Sequence, residues 1–190
     1  MKRLTSVGRE VLVASVRIMG PEGNFVPVGE TAEIVVKSEQ VMAEYWKNPE
    51  ATAETIKDGW LHTGDMGYMD EDGYIFLVDR KNDMIISGGF NVYPREVEDV
   101  LYKHQAILEA AVIGVPDEKW GETVKAVVTL KEGMAVTQEE IIDHCRKYLA
   151  SYKKPTSVDF VDELPKNVNG KILKKELKRP YWTNKDRGIN

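Results

Sequence analysis

Of all residue types, cysteine is the scarcest here. The 190 residues hold a single one, Cys145. One thiol excludes an intramolecular disulfide and fits a reducing, cytoplasmic compartment. Histidine is nearly as rare: His62, His104 and His144 are scattered, and none makes a metal-ligand spacing with Cys145. No apolar run approaches the ~20 residues of a membrane span. The opening segment, MKRLTSVGREVLV, carries basic residues but no long apolar core behind them, which argues against a secretory signal. An excess of positive charge is also lacking. The formal net charge is −5, so no basic field draws nucleic acid to the surface. Internal repeats, low-complexity segments and a Walker-type phosphate loop are absent as well.

What remains is an ordinary globular composition, 42% hydrophobic and 30% charged. Residues 11–18, VLVASVRI, and 31–37, TAEIVVK, read as strands, with a Pro-Glu-Gly-Asn turn between them. Asn48-Pro49 opens a short helix to Ile56, Asn as N-cap and Pro as first residue. Asp58-Gly59 stops it, and a strand follows over 59–65. Asp70-Glu71-Asp72-Gly73 is a hairpin turn between alternating segments; the spacing of a calcium loop does not fall in place around it. Up to about residue 80 the pattern is β-rich and suggests a small barrel or sandwich.

Beyond Arg80 the pattern changes to β-α-β-β-α-β. A helix is expected over Arg95–His104 with Val97, Val100 and Leu101 on one face. Strands are expected at 107–115 and 123–130, with a loop from Pro116-Asp117 to Trp120-Gly121. Thr137-Gln138-Glu139-Glu140 is a capping box, opening a helix to about Ala150. A last strand covers 157–161, and NVNGKILKKEL turns into a basic helix. Residues 180–190 read as a tail. The fold class is α+β, with domains at 1–80 (β-rich, barrel-like), 81–179 (α+β) and the tail.

Three stretches now come together: GWLHTGD (59–65), VDRKNDMIISGGFNVYPREVE (78–98) and NGKILKKEL (169–177). In this order and spacing they resemble the adenylate-forming superfamily, specifically the acyl-CoA synthetases, or fatty-acid–CoA ligases. YWKNPEATAETIKDGW and AAVIGVPDEKWGE fit the same pattern. The resemblance runs from Gly8 to about Arg179. It implies that residues 1–80 are the β-subdomain closing a large adenylation domain, and 81–179 its small C-terminal lid. The family's phosphate loop and Tyr-Gly-x-Thr-Glu motif are not found in the chain. It therefore reads as the C-terminal piece of an enzyme whose N-terminal part is missing, and as inactive by itself.

By this resemblance the parent activates a carboxylic acid, of fatty type, with ATP to acyl-AMP, then passes the acyl group to CoA. Lys171 matches the catalytic lysine; the plain alternative is one solvated lysine among Lys166, Lys174, Lys175 and Lys178. Asp65 and Arg80 match nucleotide-binding residues, against a turn-forming Asp and an Arg paired with Asp79 or Asp83. Asn82 falls at the family's hinge, where Asp or Lys is usual. Asn suits a hinge backbone, but a charged side chain's role there is in doubt. Gly88 and Gly89 fall on the loop lining the pantetheine tunnel, against a plain turn. For the rest of CoA only Trp120 and the basic 171–179 segment offer themselves. ATP or AMP, CoA and Mg2+ are the implied cofactors, with the Mg2+ ligand outside this chain. A homodimer is left open. Two other readings stand beside this one: an adenylation domain loading a carrier protein, and a non-catalytic binding or assembly module.

Overall fold

The computed structural model describes residues 2–182. The fold is α+β, and the chain divides into two compact units, Met1–Asn82 and Asp83–Asn190.

The first unit is a curled, five-stranded antiparallel sheet. Its strands are β1 (Ala14–Met19), β2 (Ala32–Ser38), β3 (Ile56–Lys57), β4 (Trp60–Met69) and β5 (Ile75–Arg80), with helix α1 (Pro49–Thr55) between β2 and β3. β4 is the spine, pairing with β2 and with both β3 and β5. The register slips between Glu33 and Val35 and again between Met66 and Gly67. Such bulges bend a strand and raise its twist, which curls the sheet. Gly67 is required at the second one: a Cβ there would lie 2.5 Å from the Phe76 carbonyl oxygen. Asn48 caps α1 as its residue type predicts, its side chain accepting from the Ala51 amide. Asp70 Oδ1 gathers the amides of Asp72 and Tyr74 and closes the β4–β5 hairpin.

The second unit is also built on a five-stranded sheet. β6 (Ile85–Ser87) and β7 (Phe90–Val92) form a short hairpin. Helix α2 (Pro94–Leu101) begins on Pro94, and β8 (Ile107–Asp117) and β9 (Gly121–Leu130) form a long one. Helix α3 (Gln138–Arg146), β10 (Ser157–Phe160) and helix α4 (Lys174–Trp182) complete it. One face of the sheet packs Ile85, Val112, Val124 and Val128 against Val97 and Leu101 of α2 and Ile141 and Cys145 of α3. The other packs Ala111, Ile113, Val115 and Val127 against Leu164, with Ile172, Leu177 and Tyr181 on its margin. The Thr137 capping box is formed in full. Burial pushes the Cys145 thiol up to about 11, so it is an inert core group.

Several boundaries depart from the sequence reading; α2 ends at Leu101 where His104 was expected, and β4 runs on to Met69 where a loop was expected at Asp65. β1 begins at Ala14; Val11, Leu12 and Val13 are exposed, in a turn closed by the Ala14 amide on the Val11 carbonyl. β8 runs through Pro116, because it is an edge strand that pairs only with β9 and needs no donor on its open side. Helix α3 ends at Arg146, and turns carry the chain on to Ala150. Helix α4 continues through Pro180 to Trp182, where the tail was expected to start. Two polar clips hold its end. The Tyr181 hydroxyl donates to Asp159, and the Trp182 indole N–H donates to the Gly114 carbonyl at 3.1 Å. Residues 183–190 of the expected tail lie outside the described residues.

Candidate active site

In the first unit, Asp65 and Arg80 are brought together. They are register partners on β4 and β5, and Arg80 Nε donates to Asp65 Oδ1 at 2.9 Å. Asp79 Oδ1 accepts the Arg80 backbone amide at 2.8 Å, and Asp83 pairs with Lys178. Both side chains keep solvent access. Gly64, just before Asp65, has φ +71°, in the left-handed region that favours glycine. Thr63 Oγ1 accepts the Asp65 amide at 3.1 Å and donates to the Ile34 carbonyl at 2.7 Å, so this stretch is stitched to β2.

Beside this pair lies a cluster that sequence reasoning missed. Glu33 on β2 is 7% exposed. Its Oε1 accepts the Gly64 amide at 3.1 Å. Its Oε2 meets His62 Nδ1 at 3.0 Å and Lys81 Nζ at 2.9 Å. Burial alone would raise the Glu33 carboxyl, but the hydrogen bonds from His62 and Lys81, the Lys81 charge and the Gly64 amide outweigh it. The net effect holds it below the ordinary carboxylate value. Glu33, His62 and Lys81 line a cavity of about 310 Å³ together with Phe25 and Trp60. The signal was present in the sequence. A lone glutamate inside Ala-Glu-Ile-Val-Val is a buried charge that demands partners.

In the second unit, Gly88 and Gly89 are the two central residues of the β6–β7 hairpin, with φ +58° and +83°. Both signs are those a type I′ turn needs, which accounts for a glycine at each position. The two differ in surroundings. The Gly88 amide donates to the Trp120 carbonyl at 2.9 Å, and a Cβ on Gly88 would lie 2.6 Å from the Trp120 ring. A Cβ on Gly89 would meet nothing within 4 Å. The turn is therefore braced through Gly88 and open at Gly89. Trp120 is exposed, with Lys119 Nζ 4.6 Å from its ring centre.

Lys171 sits in a separate turn before α4. Asn167 organises that turn: its Oδ1 accepts the amides of Asn169 and Lys171, and its backbone amide donates to the Lys171 carbonyl at 2.9 Å. Gly170, at φ +77°, lets the chain reverse. The basic run that follows is not a uniformly solvated face. Lys166 pairs with Glu109 at 2.6 Å, Lys174 with Glu98 at 2.7 Å and Lys178 with Asp83 at 3.8 Å. Glu98 also accepts the Val112 amide, tying α2, β8 and α4 together. Lys171 is exposed and makes no ion pair among the described residues. Its backbone is ordered while its ammonium is left available.

Within the first unit the cross-strand Asp65–Arg80 pair offers a hydroxyl acceptor and a cation; within the second, the Asn167 turn presents the Lys171 ammonium without an ion pair among the described residues. Among the described residues no group of three or more His, Cys, Asp or Glu could hold a metal ion, and no helix is long and apolar enough to cross a membrane. Residues 96–171 match the AMP-binding enzyme C-terminal domain, and the chain is similar to the C-terminal part of acyl-CoA ligases. The matched segment runs from α2 to Lys171. A long-chain-fatty-acid–CoA ligase of Yersinia pestis is 51% identical over 173 residues, which is 91% of this chain and 31% of that protein. A feruloyl-CoA synthase of an Amycolatopsis species is 49% identical over 180 residues, 95% of this chain and 37% of that protein. Among solved structures, ATP-bound MatB from Rhodopseudomonas palustris superposes with a TM-score of 0.87 at 38% identity, covering 93% of this chain and 36% of its own. The chain thus spans about a third of the length of the relatives it matches.

Proposed function

We propose that this chain is the β-subdomain and the lid of an acyl-CoA synthetase. Such an enzyme joins a carboxylic acid to the α-phosphate of ATP, releasing pyrophosphate, and then lets the CoA thiolate displace AMP from the acyl-adenylate. The observation that carries the reading is similarity near 50% identity, over more than nine tenths of the chain, to two ligases named for making acyl-CoA products. Those two act by name on a long-chain fatty acid and on ferulate. Near-equal similarity to both does not choose between these acids, so the fatty-acid assignment is widened to a carboxylic acid.

In this reading Asp65 accepts hydrogen bonds from the ribose hydroxyls and Arg80, its register partner, reaches the nucleotide. Lys171 bridges the carboxylate and the α-phosphate while charge builds on the phosphate oxygens. A preorganised cation helps most at that moment. The ordered Asn167 turn supports this role, since only the side chain remains to be positioned. Asn82 is the pivot of the lid, at the junction of the two units. Gly89 gives the pantetheine thiol a passage free of side-chain atoms, while Gly88 braces the turn on Trp120. Mg2+ accompanying ATP would be held by residues outside this segment. The single buried thiol supports a cytoplasmic setting.

The test separates the two half-reactions in an enzyme carrying this segment at the full length of its relatives. Lys171→Ala is expected to slow adenylation by about 10²–10³-fold, the usual cost of removing one transition-state donor, and to change thioester formation from supplied acyl-AMP far less. Equal losses in both steps would remove Lys171 from the adenylation chemistry.

A further inference from the structure

We propose that Glu33 is the positioning residue of the nucleotide site: one carboxylate oxygen holds the irregular stretch of β4 that carries Asp65, and the other holds the strand end that carries Arg80. This rests on the reading of Asp65 as the ribose ligand.

Both oxygens of Glu33 are engaged: Oε1 bonds β4 alone, and Oε2 bonds both β4 and the residue that follows β5. Oε1 takes the Gly64 amide on β4, one residue before Asp65. Oε2 takes Lys81, one residue after Arg80 where β5 ends, with His62 as its second partner. Asp65 and Arg80 are themselves bonded across the same two strands. Glu33 is thus the third point of a frame whose other two points are the ligand residues. The adjacent residue of β2, Ile34, adds a tie through Thr63 Oγ1 to the Asp65 amide.

The energetics favour a positional role over a merely stabilising one. A buried carboxylate must recover several kcal/mol of lost hydration from its partners, and apolar replacements of buried ion pairs are often as stable. A charge kept inside an apolar strand therefore needs another reason, and here it fixes the geometry of a backbone amide at a left-handed position. Lys81 is about half exposed and reaches inward to Glu33, so the frame is closed from the solvent side by its ammonium.

The experiment compares Glu33→Gln and Lys81→Met with the parent sequence by two readouts. In the 190-residue chain, Gly64 amide exchange is expected to be at least about tenfold faster in Glu33→Gln, the equivalent of one charge-assisted hydrogen bond, and about threefold faster in Lys81→Met. The Val127 amide in the second unit serves as the unaffected reference. In an enzyme of full family length, Glu33→Gln is expected to raise KM for ATP about fivefold with adenylation kcat within about twofold. A purely structural role would lower active-enzyme yield without that split. Asp65→Ala is the control. If it leaves KM for ATP unchanged, the ribose assignment fails and Glu33 has nothing to position. If Asp65→Ala raises KM while Glu33→Gln alters neither KM nor Gly64 exchange, the Glu33 proposal is overturned. Should Glu33→Gln not fold, unchanged Gly64 exchange in Lys81→Met overturns it equally.

Discussion

The second unit buries apolar side chains on both faces of its sheet, α2 and α3 covering one and the Leu164–α4 segment the other. In the first unit the buried cluster consists of Ile18, Ala32, Ile34 and Ile75, flanked by half-buried Val16, Val26 and Met69. That unit also leaves Leu12, Val13, Phe25, Trp46 and Leu77 exposed. What it holds in place of a thick core is polar stitching: Glu33 with His62, Lys81 and Gly64, Thr63 with Ile34, Asp65 with Arg80. The contrast separates two ways of making a site precise. In the second unit packing orders the scaffold, and Lys171 is left without an ion pair among the described residues. In the first, hydrogen bonds to buried and half-buried groups tie Asp65 and Arg80 in place directly.

The comparison can be broken with core truncations. Leu101→Ala, at a fully buried position, is expected to cost the second unit about 2–5 kcal/mol, and Ile34→Ala less in the first unit, whose thin core can collapse around the gap. Urea titration followed by residue-resolved amide signals would report each unit separately. Equal losses would mean that the first unit has a core as cooperative as the second.

The glycine turn sharpens it next. Gly88→Ala adds a clash with Trp120 to the left-handed strain and is expected to cost about 1–3 kcal/mol beyond Gly89→Ala, where the added Cβ meets open space. Gly89→Leu is then the cleaner functional probe. It should slow thioester formation about tenfold or more while leaving adenylation within about threefold. Thioester formation that survives it would remove Gly89 from the thiol's path.

The smallest effect belongs to the electrostatic side. Glu33 titrates below its ordinary value of 4.5 in the folded chain. Its contribution is therefore complete above that pH and is lost as the pH falls through the lower folded value, because the unfolded chain takes up the proton first. The first unit's urea midpoint should drop on acidification below about pH 4.5 by an amount that Glu33→Gln reduces. An unchanged profile in that variant would assign the acid sensitivity to other carboxylates.

Local signals were readable wherever they rest on backbone chemistry. Asn48-Pro49, the Thr137–Glu140 box, Asp70–Gly73 and the Val97/Val100/Leu101 face all form in the structure as their residue types dictate. The errors arose where tertiary partners decide. Pro116 stays in a strand because its open edge asks nothing of it, and Pro180 stays in a helix because Tyr181 and Trp182 are clipped to the sheet. Val11–Val13 look like a strand by composition but find no ladder to join. For the site, the family resemblance marked Asp65, Arg80, Asn82, Gly88, Gly89 and Lys171, but not that Asp65 and Arg80 face each other. Nor could it show that Lys166, Lys174 and Lys178 are paired while Lys171 is not. Register and ion pairing are long-range facts, and no local pattern encodes them.

The β8–β9 hairpin has a mechanical consequence. Its strands run 11 and 10 residues, and its tip carries the Gly88 turn through the Trp120 carbonyl and the Ser87–Gly121 pairing. At about 3.3 Å per residue this is a lever arm of roughly 33 Å, so each degree of rotation about its base sweeps the tip by about half an ångström. The brace through Gly88 makes the Gly-Gly hairpin travel with the tip as one body.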